Sequence, residues 1–139
     1  MTQEEKDLLL KELCARLPYG VKINLHNTIF EIYFVEKQDL HNVYVGLKEN
    51  NEQVSQQTNI LNIKPYLRPM SSRTEEEDDF IQQCMDIVED ENYHDGFSPS
   101  AWSSMGDFVN YCNQHYLDYN GLIGKGLALE APEDMYKNV

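Results

Sequence analysis

The chain has 139 residues and a net charge of −13, from 24 Asp and Glu against 11 Lys and Arg. That length suits one domain, and 41% hydrophobic with 11% aromatic residues supply a core without metal or disulfides. Three cysteines without a CxxC pair fit a reducing cytoplasm rather than a disulfide scaffold, and neither a basic leader nor a bilayer-length apolar run is present.

The first expected element is a helix over residues 1–17. Thr2 and Glu5 have capping-box spacing, and Leu9, Leu10, Leu13, Cys14 and Leu17 recur at helical period until Pro18 and Gly20 end it. Glu4, Glu5, Lys11 and Glu12 fall off that stripe. Strands are expected over 21–63. Val21 to Leu25 alternates, His26-Asn27-Thr28 reads as a tight turn, and Ile29 to Val35 is apolar on both faces, as a strand covered on each side would be. Val43, Val45 and Leu47 alternate again, and Asn59 to Ile63 reads as a fourth strand. The polar stretch from Lys48 to Thr58 between them reads as a mobile hairpin loop. The expected inward set is Val21, Ile23, Ile32, Phe34, Val43, Val45 and Ile63.

Residues 64–73 read as an extended connector, because Pro65 and Pro69 oppose both a helix and a central strand. Residues 74–118 read as two acidic amphipathic helices. Thr74 and Glu77 form a second capping box before the stripe Phe80, Ile81, Cys84, Met85 and Val88. A loop with a Gly-Phe-Ser-Pro turn over 92–100 precedes a stripe of Trp102, Met105, Phe108, Val109, Cys112 and Tyr116. The tail, 119–139, either adds a last strand or wraps the surface. The fold class expected is α+β in a single domain, with about four mostly antiparallel strands and three helices.

Charge is divided unevenly. Residues 1–73 hold nine basic and nine acidic residues, whereas 74–139 hold two basic and fifteen acidic ones. A field of that sign repels nucleic acid and anionic membrane and attracts a basic protein surface; the plainer reading is a solubility device. The candidate partner-binding residues are Glu75, Glu76, Glu77, Asp78, Asp79, Glu89, Asp90 and Glu91. The locally basic strip of Lys64, Tyr66, Arg68 and Arg73 reads first as a neutraliser of Glu75 to Asp79, and only second as a phosphate or base contact.

Motifs for chemistry fail one by one. In GLIGKG, Gly121 to Gly126, two residues rather than four precede the Gly-Lys pair and Gly126 stands where Ser or Thr must hold Mg²⁺. An EF-hand built on Gly96 would need Tyr93 and Trp102 as ligands, which rejects it, leaving only weak divalent binding by Asp90 and Asp95. His26, His41, His94 and His115 are scattered, and His115 with Asp118 reads as a surface ion pair or a histidine at a helix C-terminus rather than a zinc site. The cysteines fall on apolar stripes, which makes them buried and inert. No catalytic residue, cofactor or metal is expected.

The segments CARLPYGVK (14–22), IKPYLRPMSSRTEEE (63–77) and LDYNGLIGKGLALEAPEDMY (117–136) resemble a family of small uncharacterised proteins of Bacteroides phages, prophages and mobile elements. The resemblance implies a bacterial cytoplasm and no chemistry. Arg73 and Asn120 depart from it, standing where relatives carry Met and Arg. KPYLRPMSS and GLALEAPEDMY, including Lys64, Tyr66 and Arg68, form either a shared surface or a shared tertiary clasp. The expected function is a non-catalytic interaction module that binds a basic host or phage protein; the alternative is an enzyme or nucleic-acid-processing factor with a site built from scattered residues.

Overall fold

The computed structural model describes residues 1–39, 42–92 and 99–136. His41, His94, Asp95 and the turn at 96–98 lie outside the described residues, as do the side chains of Asp90, Glu91 and Trp102.

Helix α1 spans Gln3–Arg16 and opens with the capping box: Thr2 Oγ1 accepts from Glu5 N at 3.1 Å and Glu5 Oε1 accepts from Thr2 N at 2.9 Å. Its buried face is Leu9, Glu12, Leu13 and Arg16, while Cys14 is exposed. This corrects the expected stripe. Glu12 and Arg16, one turn apart, tolerate burial because they pair with each other, and Arg16 Nη2 also donates to the Leu117 carbonyl at 2.6 Å. Asn120 Nδ2 donates to the second Glu12 oxygen, so position 120 completes a buried network.

Among the described residues the sheet has six strands: β1 Lys22–Leu25, β2 Thr28–Lys37, β3 Val43–Glu49, β4 Glu52–Asn59, β5 Lys64–Leu67 and β6 Leu129–Glu130. Their order is β4-β3-β2-β1-β5-β6, antiparallel except for the parallel pair β5–β6. The α+β class therefore stands with a mixed, mostly antiparallel sheet, and four strands is too few. The added strands have physical reasons. The polar stretch expected as a loop is a hairpin, because Asn50 and Asn51 take φ of 53° and 65°, the left-handed pair that a two-residue turn needs. Strand β4 then precedes the expected position, and Ile60–Asn62 form a 3-10 turn. His26 and Asn27 make the same kind of turn between β1 and β2.

β5 lies inside the sheet despite Pro65. The proline pairs with Ile23 of β1, whereas β6 reaches only Tyr66 and Leu67, so the missing N–H falls where the strand has one neighbour.

One face of the sheet is covered. Leu9 and Leu13 of α1 pack with Val21, Ile23, Leu25, Ile32, Val43, Val45, Leu47 and Leu67, and the tail adds Leu122, Leu127, Ala128 and Tyr136. On β2 only Ile32 is fully buried, and Ile29 is 46% exposed, so the strand is central but not covered on both sides. Phe34 is also outside the buried set. A bulge between Ile32 and Phe34 shifts the register and leaves Phe34 opposite Gly46, where its ring occupies the space a Cβ would need.

Helix α2 spans Glu75–Asn92 and α3 Pro99–Gln114. They pack on each other through a second cluster in which Ile81, Cys112 and Leu117 are buried against Met70, Met85, Phe108, Tyr111 and Tyr119. α3 ends with Tyr116 at φ 60°, with Leu117 N donating to Cys112 O at 2.9 Å and Tyr116 N to Asn113 O at 3.3 Å. An aromatic residue in that conformation is held by its stack on Tyr136, 3.7 Å between ring centres.

Candidate functional site

Two segments distant in sequence meet beside β5. The parallel pairing sets Tyr66 against Leu129 and Leu67 against Glu130, and Ala131 N donates to Leu67 O at 2.8 Å. The Tyr136 hydroxyl donates to Tyr66 O at 2.9 Å and accepts from Lys22 N at 3.0 Å. The clasp between KPYLRPMSS and GLALEAPEDMY is thus built from backbone bonds and one buried phenol, whose proton affinity is pushed up by that burial.

The clasp leaves a cleft of about 710 Å³. Its sides are the turn after β5 (Arg68, Pro69, Ser72), the head of α2 (Thr74, Glu76, Glu77), the end of α3 (Tyr111, His115) and the chain after β6, from Glu130 to Glu133 with Tyr136. Arg68 and Glu77 form a charged pair on its wall. Arg68 Nη1 donates to Glu77 Oε2 at 2.7 Å and Nη2 to Glu77 Oε1 at 2.6 Å, a two-pronged pair. The guanidinium also donates to the carbonyls of His115 and Ser72, at 3.2 and 3.0 Å. Glu77 Oε1 accepts from Thr74 N at 2.8 Å, closing the expected capping box, and His115 Nδ1 lies 2.9 Å from Oε2.

Glu77 is 4% exposed, yet its carboxyl stays ionised. The bonds from Arg68 outweigh burial and, with Thr74 and the nearby His115, hold it down to about 2. Arg68 is correspondingly raised by Glu77. Tyr111 stacks on Phe80 at 4.2 Å and on His115 at 4.1 Å, and burial, with the Glu77 charge, pushes its phenol up. A carboxylate so saturated with donors is a poor proton acceptor near neutral pH.

Glu75, Glu76, Asp78, Asp79 and Glu89 are exposed on α2, whereas Glu77 faces inward. Arg73 pairs with Asp78 at 3.2 Å, so the basic strip does neutralise part of the acidic turn. Lys64 is exposed, and the Tyr66 hydroxyl accepts from Asn24 Nδ2 at 3.1 Å; of that trio only Arg68 borders the cleft. His115 pairs with Glu77 rather than Asp118 and directly follows α3, so of the two expected readings the histidine at a helix end stands and the Asp118 pair does not. Asp118 instead accepts from the backbone of Leu122 and Ile123 at 2.8 and 2.9 Å, and this fixes GLIGKG as a turn. Cys84 and Cys112 are buried, and burial pushes Cys112 up to about 11, so neither is a ready nucleophile. Among the described residues no group of three His, Cys, Asp or Glu side chains is arranged to hold a metal ion.

Sequence reasoning missed Glu130 and Glu133 as cleft residues, along with Tyr111. The signal was indirect: both glutamates lie in the tail segment marked as a shared surface or clasp, but only the β5–β6 pairing brings them beside Arg68.

Fold and site together define an α+β chain whose second half presents carboxylates from a helical hairpin and a clasped tail. The chain matches no family model, curated protein or solved structure. No described helix is long and apolar enough to cross a membrane.

Proposed function

We propose that the chain is a non-catalytic interaction module, an accessory protein of a Bacteroides phage or mobile element, that binds a basic protein surface through its acidic half. The observation that carries this reading is the exposure of Glu75, Glu76, Asp78, Asp79, Asp86 and Glu89 on one helix, where among the described residues Arg73–Asp78 is the single ion pair they make. From Glu75 to Glu89 the helix extends about 21 Å. A rigid rod of carboxylates on that scale offers a basic groove a field resembling that of a phosphate backbone. No Lys or Arg occurs between Arg73 and Lys125 to dilute it.

The competing reading is an enzyme, and the meeting of Glu77, His115 and Tyr111 in one cleft is what favours it. Against it, Glu77 accepts from Arg68 and Thr74 and faces His115, which fits a structural tie better than a general base.

The test is capture of partners from host lysate. Wild type is compared with a variant carrying Gln or Asn at 75, 76, 78, 79, 89, 90 and 91, with Glu77 spared because it holds the fold. Basic proteins enriched by wild type at low salt, lost with the variant and weakened by salt support the reading. Identical recovery by both proteins at both salt levels reduces the charge to a solubility device.

A further inference from the structure

We propose that the cleft between the Arg68 turn and the tail is a binding site for a cationic peptide segment, receiving an arginine or lysine side chain of the basic partner. This rests on the reading above and adds where the contact is made. The cleft volume, about 710 Å³, accommodates a few residues of extended chain.

Its charge is one-sided. Among the described lining side chains, Arg68 is the one guanidinium or ammonium, against Glu76, Glu77, Glu130 and Glu133. Arg68 is also not free, since both its terminal nitrogens are engaged by Glu77 and by carbonyls. The carboxylates of Glu76, Glu130 and Glu133 are exposed and remain for a ligand. An anionic ligand is disfavoured for the same reason. The place it would take, at the head of α2 beside Arg68 and His115, is filled by the chain's own Glu77.

The walls suit a long cationic side chain. Pro69, Ala131 and Pro132 line the cleft with apolar surface for a methylene stem, while the carboxylates meet its head. The walls are also tied in place. Ala131 N is bonded to Leu67 O, Met135 N to Pro132 O at 3.0 Å, and Tyr136 to Tyr66 O, so the tail loses little freedom when the cleft is occupied.

The experiment titrates the full chain into fluorescently labelled, end-capped hexa-arginine peptide at low salt. Three proteins are compared: wild type, the cleft variant Glu130→Gln/Glu133→Gln, and the helix variant Asp79→Asn/Asp86→Asn/Glu89→Gln. All five substituted side chains are exposed, so both variants should keep the wild-type unfolding midpoint. The cleft variant is expected to weaken binding about tenfold and the helix variant less than about threefold. Amide resonances of Arg68, Met70, Ser71, Ser72, Glu130, Ala131 and Glu133 should shift on binding in wild type. If the helix variant weakens binding while the cleft variant binds like wild type, the cleft assignment falls and the acidic-helix reading stands. Equal weakening by both means that the peptide reads total charge only, which also overturns the cleft. No binding by wild type at low salt overturns both.

Discussion

Glu77 joins three stretches of chain: Arg68 after β5, Thr74 at the head of α2 and His115 near the end of α3. Glu77→Gln keeps an amide that can cap Thr74 but removes the charge facing Arg68. It should cost on the order of 2 kcal/mol at neutral pH, below the value for a fully buried pair because Arg68 is partly exposed. The folded carboxyl titrates near 2 against 4.5 for the free group. Its contribution is therefore fully present above about pH 4.5 and is lost as pH falls toward 2. Urea unfolding of wild type and variant at neutral pH and near pH 3 should show the gap narrowing with acid. A gap independent of pH would contradict the assignment. Phe34 is a second residue whose role depends on local geometry. Because it lies half-buried over Gly46 rather than in the core, Phe34→Ala should cost about 1–2 kcal/mol, less than a core phenylalanine. Gly46→Ala should cost about 1–3 kcal/mol, since the new Cβ would come within 2.1 Å of the Phe34 ring. The double variant, measured by urea unfolding, should cost less than the sum, because removing the ring removes the clash.

Elements with strong periodicity were legible from sequence. The three helices, the capping boxes at Thr2 and Thr74 and the strands around Ile23, Ile32 and Val45 follow from apolar spacing. β4 was not legible, because its polar residues carry no alternating apolar signal, and the sheet needs it only as an edge beside β3. The Asn50-Asn51 pair was the missed clue. Both residues take left-handed φ, so Asn51→Gly should stabilise the protein by about 0.5 kcal/mol, read as a small rise in thermal midpoint. A fall would show that the Asn side chain does more than form the turn. The burial of Glu12 and Arg16 was also hidden, since it depends on Leu117 and Asn120, more than a hundred residues away along the chain. The cleft was legible only as two marked segments. What joins them is a two-residue parallel strand, too short to leave a pattern.

At the scale of the molecule the charge is separated by element. The balanced first half builds most of the sheet and α1, while the excess lies on the helical hairpin and tail. The chain alone should not bind duplex DNA at physiological salt, because binding requires phosphates to be neutralised and the field has the wrong sign. A mobility shift with tight, salt-sensitive binding would contradict that. The central claim is that the acidic half recognises a basic surface. Its most direct test is the affinity of the purified chain for a purified captured partner across a salt series, for wild type and the seven-position variant that spares Glu77. The account predicts that wild-type affinity falls steeply with salt and that the variant binds at least about tenfold more weakly at low salt with a flatter dependence. Equal affinity and equal salt dependence for the two proteins would contradict it.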